Sequence, residues 1–288
     1  FVDAEGNYTG GALTNLDNFM TGSAFCTLYH RTKDEKYKKA ALQILAKVGE
    51  YPSSDGQFWH GNKSPNMWID GVFMMQMFLI RCARYVGETE YCLEVACRNV
   101  ISAARHLQLP SGLVLHAWTT EPEKAVWAAK TTGLSPEVWS EGMGWYTLVV
   151  PELLAILPKT HSQYAEVLRI YQQMVKGLKN TQDTNTGGWY MVVDKGNNPL
   201  NFIDPSGTAM FVYSIQRGID LGLLKAKDYA AVAAKGYECL RPFIQVNERG
   251  LLELIGACDG VVIKKDFVSY VTVPKILNAK EAVAGVLW

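Results

Sequence analysis

The sequence predicts an all-α fold built from consecutive helix hairpins closed into a toroid, and three features carry that expectation. Apolar residues recur at three- and four-residue steps through most of the chain. Short polar breaks such as Thr32-Lys33-Asp34-Glu35 and Gly87-Glu88-Thr89 join helices in pairs, and links that short make the partners antiparallel. Longer loops run between the pairs and gather aromatic and polar residues, and a toroid collects such loops at one end around a pocket. A solenoid is the other way to stack hairpins, but a tight sequence repeat is missing.

Residues 1–15 are Gly-rich and polar and read as a loop. Helical spacing begins at Asp17 with Phe19, Met20, Phe25, Leu28 and Tyr29, and the pair is completed by an amphipathic helix over 37–48. Residues 51–65 form a long loop that carries Phe58-Trp59-His60. A third helix over 67–86 leads through Gly87-Glu88-Thr89 to a fourth over 90–107. Pro110-Ser111-Gly112 ends that pair, residues 113–118 read as a short extended piece, and a polar loop continues to Pro136. The next helix covers 137–157, with Pro151 expected to bend or break it, and its partner covers 161–181. Gly187-Gly188-Trp189-Tyr190 reads as a loop with a short strand. Asp204-Pro205-Ser206-Gly207 starts a helix to Leu221, paired with one over 227–242. Alternating Val, Ile and Tyr over 250–269 suggest short strands or loop, and residues 279–288 close the chain as a helix. No linker interrupts the series, so residues 1–288 read as one domain.

The 288 residues are 48% hydrophobic, ample for a large core, and carry a formal net charge of zero. No basic cluster exceeds a pair such as Lys38-Lys39 or Lys264-Lys265, which leaves no footprint for nucleic acid. The longest apolar run, over 72–80, is too short to cross a bilayer and is followed by Arg81, so no membrane association is expected. The dispersed His residues show no HxH or HExxH spacing, and no Gly-rich loop follows a strand; neither a metal nor a nucleotide cofactor is expected. Cys26, Cys82, Cys92, Cys97, Cys239 and Cys258 contain no CxxC pair and read as buried free thiols.

The chemistry centres on Pro65-Asn66-Met67-Trp68-Ile69-Asp70-Gly71-Val72-Phe73-Met74-Met75. A carboxylate seated among Trp68, Ile69, Val72 and Phe73 is costly unless it is paired, protonated or used, which makes Asp70 the candidate catalytic acid or base. The plainer role is a first-turn Asp that complements the positive end of a helix. Four further segments set Trp or Phe beside an acid or His: Leu16-Asp17-Asn18-Phe19, Phe58-Trp59-His60, His116-Ala117-Trp118 and Trp139-Ser140-Glu141-Gly142-Met143-Gly144-Trp145. Rings stack on the C–H faces of a sugar while carboxylates and imidazoles bind its hydroxyls, so an oligosaccharide is the expected substrate. Each residue also has an ordinary structural role: Asp17 as a cap, His60 and His116 as loop residues, Glu141 as a crowded helix start, and Trp68, Trp139 and Trp145 as core. Trp139 and Trp145 are six apart and do not share one face of a helix.

These segments, together with Gly133-Leu134-Ser135-Pro136-Glu137-Val138-Trp139, Gly187-Gly188-Trp189-Tyr190, Ser206-Gly207-Thr208-Ala209-Met210-Phe211 and Ala279-Lys280-Glu281-Ala282-Val283, resemble glycoside hydrolase family 105. That family comprises the unsaturated rhamnogalacturonyl hydrolases and their relatives. The resemblance implies an (α/α)6 barrel whose first one or two helices precede Phe1 and are missing here. By resemblance Asp70 matches the catalytic acid, and Asp17, His60, His116 and Trp145 match substrate-pocket positions. The implied reaction is hydration of the 4,5 enol ether that a polysaccharide lyase leaves on a terminal uronic acid. Glu141 stands where better-known members carry Arg, which replaces a cationic fork by an acid. Two other readings stay open: a glycosidase on saturated glycosides with Asp70 and Glu141 as its carboxyl pair, and a non-catalytic carbohydrate-binding barrel.

Overall fold

The computed structural model describes residues 1–288 as ten α-helices joined by loops, 3-10 turns and very short two-stranded ladders. The helices are α1 Met20–Thr32, α2 Glu35–Leu45, α3 Ile69–Tyr85, α4 Thr89–Leu107, α5 Ser140–Leu154, α6 Tyr164–Thr181, α7 Pro205–Asp220, α8 Ala226–Leu240, α9 Phe267–Val271 and α10 Lys280–Leu287. Helices α1 to α8 pack as four consecutive hairpins, and the first helix of each pair also packs on that of the next, with α10 laid against α7. Their burial separates two layers. In α5 every residue but Glu152 is buried, as a helix apolar on all sides must be, whereas α6 buries the stripe Val167, Ile170, Tyr171, Met174, Val175 and Leu178. No helix is long and apolar enough to cross a membrane, and all six cysteines are free and buried.

Two expectations about local structure are corrected. Of the bend or break expected at Pro151, the break does not occur: α5 continues to Leu154. Proline removes the N–H that would bond the Thr147 carbonyl, and the Ser214 hydroxyl from α7 donates to that carbonyl instead, at 2.7 Å. At the end of the stretch 250–269 read as strands or loop, residues 267–269 instead open the short helix α9, which runs to Val271 and is started by Asp266, whose side chain accepts from the Ser269 N–H at 2.8 Å.

The inner helices begin on one rim because the loops leading into them are laced together by backbone hydrogen bonds. Leu16 N–H donates to the His60 carbonyl and His60 N–H to that of Asn66. Asn66–Trp68 pairs antiparallel with Ala117–Thr119, placing Trp68 opposite Ala117. Ile69 N–H donates to His116, His116 N–H to Glu137, Ser140 N–H to Met191, Met191 N–H to Phe202 and Asp204 N–H to Trp189. Backbone groups that would be unsatisfied in buried loops are thus paired across the mouth of the fold, and the start of each inner helix is fixed to the start of the next.

Candidate active site

The lacing brings one recurrent feature of the sequence to a single place. An acid is the second residue of the 3-10 turn Leu16–Phe19 (Asp17), of α3 (Asp70), of α5 (Glu141) and of α10 (Glu281). In α7 that position is Ser206, capped by Asp204. Positive helix ends favour such acids. Asp17, Asp70, Glu141 and Glu281 line one cavity of about 320 Å³, with His60, Trp68, Met74, Trp139, Trp145, Lys280 and the loop 259–262 completing its wall.

Asp70 lines this cavity with its side chain 14% exposed and its Oδ1 buried without a hydrogen-bond partner. Burial raises its carboxyl above the ordinary range. His60 and the backbone N–H groups of Asp70 and Gly71 oppose that pull, and Asp17 reinforces it. The His60 ring stacks on Trp68 at 4.1 Å, nearly parallel. This approach requires Gly71, since a Cβ there would lie 2.8 Å from both His60 Nδ1 and Leu16 Cδ1. The Trp145 ring packs on Phe73 at 4.6 Å.

Glu141 is 2% exposed, and burial, with Asp204 next in effect, pushes its carboxyl well above the usual range; Glu281 and Asp70 add to the rise and the Ser206 hydroxyl opposes it. Asp204 is occupied by its own helix: it accepts from the Ser206 and Gly207 N–H groups and from the hydroxyls of Ser206 and Ser140. Lys280 is the one Lys or Arg on the wall; it is 78% exposed and lies 3.6 Å from Glu281.

Of the residues singled out from sequence, Asp17, His60, Trp68, Asp70, Trp139, Glu141 and Trp145 line the cavity together. Trp139 does so despite its spacing from Trp145, because it precedes α5 as the cap in extended conformation and helical periodicity does not govern it. Asp17 is exposed, and the cap of its turn is Asn15. His116 is fully buried and stands behind the wall: its Nε2 is 4.0 Å from Asp70 Oδ1, its Nδ1 is 2.7 Å from the Tyr270 hydroxyl, and Trp139 packs on it at 4.5 Å. Burial, followed by His60 and Lys264, holds its pKa down to about 3, so the ring is neutral. Sequence reasoning missed Glu281, Asp259, Lys280 and Tyr270. Glu281 had a usable signal, the second-position acid shared with Asp70 and Glu141; Tyr270, in a stretch of weak pattern, had none.

A family model described as Glycosyl Hydrolase Family 88 matches residues 2–288. A glycoside hydrolase from family 105 of C. acetobutylicum ATCC 824 superposes with a TM-score of 0.91 at 27% identity, over 100% of this chain and 82% of its own. Protein Atu3128 of Agrobacterium fabrum is 28% identical over 183 residues, 62% of this chain and 77% of that protein. A UGL variant solved with dGlcA-Glc-Rha-Glc has a TM-score of 0.61 at 17% identity, over 83% of this chain and 65% of its own. The all-α toroid expected from the hairpin pattern is borne out by these likenesses, whose six-hairpin fold is the one the resemblance implied; four of the hairpins are those of α1 to α8.

Proposed function

The chain belongs to Glycosyl Hydrolase Family 88 and is a glycoside hydrolase, and from that premise we propose that it hydrates the 4,5 enol ether of unsaturated uronyl oligosaccharides released by polysaccharide lyases, with Asp70 as general acid and then base. The observation that carries this reading is Asp70 itself: a carboxyl held above its ordinary pKa by burial, opening on a cavity walled by Trp68, Trp139 and Trp145. A general acid has to keep its proton near neutral pH.

In the proposed reaction the Asp70 proton passes to C4 and the C4–C5 π electrons form the new C–H bond, leaving an oxocarbenium-like centre at C5. Water adds to C5 and returns a proton to the Asp70 carboxylate. The resulting hemiketal opens to a C5 ketone, and the hemiacetal left at C1 expels the next sugar. The cavity lies at the small end of ligand pockets, which suits a single terminal residue. The rim of acids suits an anionic uronate only if some carboxyls are neutral. Glu141, buried and well above its usual range, would present a carboxylic acid that donates to a substrate oxygen, and Lys280 would face the uronate carboxylate. The UGL neighbour solved with dGlcA-Glc-Rha-Glc supports an oligosaccharide ligand of this type.

The opening of Asp70 and Glu141 on one cavity also favours a second reading, a carboxyl pair cleaving a saturated glycoside. Assay on the unsaturated products of pectin, ulvan and glycosaminoglycan lyases separates the two. Hydration abolishes the ultraviolet absorbance of the conjugated enol ether, whereas cleavage of a saturated glycoside does not. Asp70→Asn should lower kcat by about 10²–10⁴-fold with KM little changed. Retention of activity within about tenfold, below that range, would remove Asp70 from the role.

A further inference from the structure

Behind Asp70 lies a buried pair that the reaction above does not use. Tyr270, fully buried in α9, bonds His116 Nδ1 at 2.7 Å, and the other ring nitrogen of His116 lies 4.0 Å from Asp70 Oδ1. Both His116 Nε2 and Asp70 Oδ1 are buried polar atoms with no hydrogen-bond partner, so each is the natural partner of the other.

The proton positions follow from satisfiability. A neutral imidazole has one N–H and one acceptor nitrogen. The Lys264 backbone N–H faces the Tyr270 oxygen, and the phenol has His116 as its hydrogen-bonded side-chain partner. Were Nδ1 protonated, the phenol hydrogen would be left buried without an acceptor, and a buried orphan donor is costly. The phenol therefore donates to Nδ1, and the ring N–H sits on Nε2, on the Asp70 side.

We propose that Tyr270 is a positioning residue for the general acid: it holds His116 as the Nε2–H tautomer, and that N–H receives the negative charge left on Asp70 when its proton goes to substrate. The inference rests on the reading of Asp70 as that acid. A separation of 4.0 Å is long for a hydrogen bond, and catalytic contacts of this kind commonly tighten once substrate is bound. The arrangement divides the work within one acid. Burial and Asp17 push the resting Asp70 towards its protonated form, while His116 stabilises the carboxylate that must exist between the proton transfer and the attack of water. His60, Asp17, Glu141 and Tyr270 also act on Asp70, and Lys264 and Glu137 on the His116–Tyr270 pair; none of these changes in a Tyr270→Phe protein except the phenol.

The test reads the pair without turnover. Long-range proton–nitrogen NMR on histidine-labelled wild-type protein should show His116 protonated on Nε2 and bare on Nδ1 between about pH 5 and 8. Protonation on Nδ1 would overturn the proposal. Carboxyl-carbon NMR should place the Asp70 midpoint about 0.5–1 pH unit higher in Tyr270→Phe than in wild type, because the carboxylate loses an aligned donor. The basic limb of kcat, which falls as the acid loses its proton, should move up with it. In a His116→Phe background Tyr270→Phe should add no further shift. An unmoved midpoint in folded Tyr270→Phe, or equal shifts with and without His116, would also overturn it. Absence of turnover on every unsaturated uronide would instead defeat the reading of the reaction and leave these NMR outcomes to decide the pair.

Discussion

At residue scale the site depends on close approaches that only small side chains permit. Gly71 follows Asp70 and leaves room for the His60 ring, which stacks on Trp68 while acting electrostatically on the acid. Gly71→Ala would drive a methyl against His60 Nδ1 and Leu16 Cδ1. Overpacking of this kind costs about 1–3 kcal/mol, visible in urea denaturation, and displacement of the ring should lower kcat/KM by about 10–10²-fold on whichever unsaturated substrate is turned over. Wild-type stability and activity in that variant would mean that His60 is free to move and is not held by the glycine. Glu141 illustrates the same scale differently: where the family resemblance implies an Arg, an acid keeps a directional donor only while it holds its proton, and burial at 2% exposure pushes its carboxyl in that direction.

At the scale of elements, the inner helices are tied to each other by side chains that complete broken backbone ladders. Pro151 in α5 frees the Thr147 carbonyl, and Ser214 in α7 occupies it, while the Ser214 carbonyl in turn accepts from the Tyr171 hydroxyl of α6 at 2.6 Å. Ser214→Ala should therefore destabilise the protein by about 1–3 kcal/mol, the cost of a buried acceptor left alone. The same substitution in a Pro151→Ala background should cost much less, since replacing the proline restores the helix's own donor. Equal losses in both backgrounds, by denaturant titration, would show that the serine acts by packing. Helix hairpins and their breaks were legible in the sequence because short polar links separate strongly periodic runs. The endurance of α5 through Pro151 was not, because the compensating hydroxyl lies 67 positions beyond the carbonyl it serves.

For the molecule as a whole, gathering the N-termini of the inner helices on one rim concentrates acids there, and this links stability to pH. Unfolded, Glu141 ionises near 4.5; folded, it keeps its proton to a much higher pH. As pH rises past about 4.5 the unfolded chain sheds a proton that the native state retains, so stability falls by about 1.4 kcal/mol per pH unit from this residue until its folded pKa is reached. Below 4.5 both states hold the proton and the effect vanishes. Glu141→Gln should thus gain stability over wild type as pH rises from 4.5 towards neutrality, with the gap closing on the acid side. A gap independent of pH, measured by urea denaturation across that range, would mean that Glu141 is ionised in the native protein.

The amino-acid sequence alone determined the helical pairing, the all-α class and most of the cavity wall, because each rests on local signals: periodicity, short breaks, and acids beside aromatics at helix entries. The family resemblance singled out Asp70 and the Arg-to-Glu exchange at Glu141 in the same linear way. Tertiary structure decided which of those residues meet. It set His116 behind Asp70 rather than on the open wall, added Glu281 and Lys280 from the last helix, and supplied Tyr270 from a stretch without pattern. The physical reason is that burial and proton placement belong to packing between distant segments. His116 and Tyr270 lie 154 positions apart, and the tautomer of one is fixed by the other only where the buried cluster of Trp139, Met191, Val192 and Tyr270 seats the phenol against the ring.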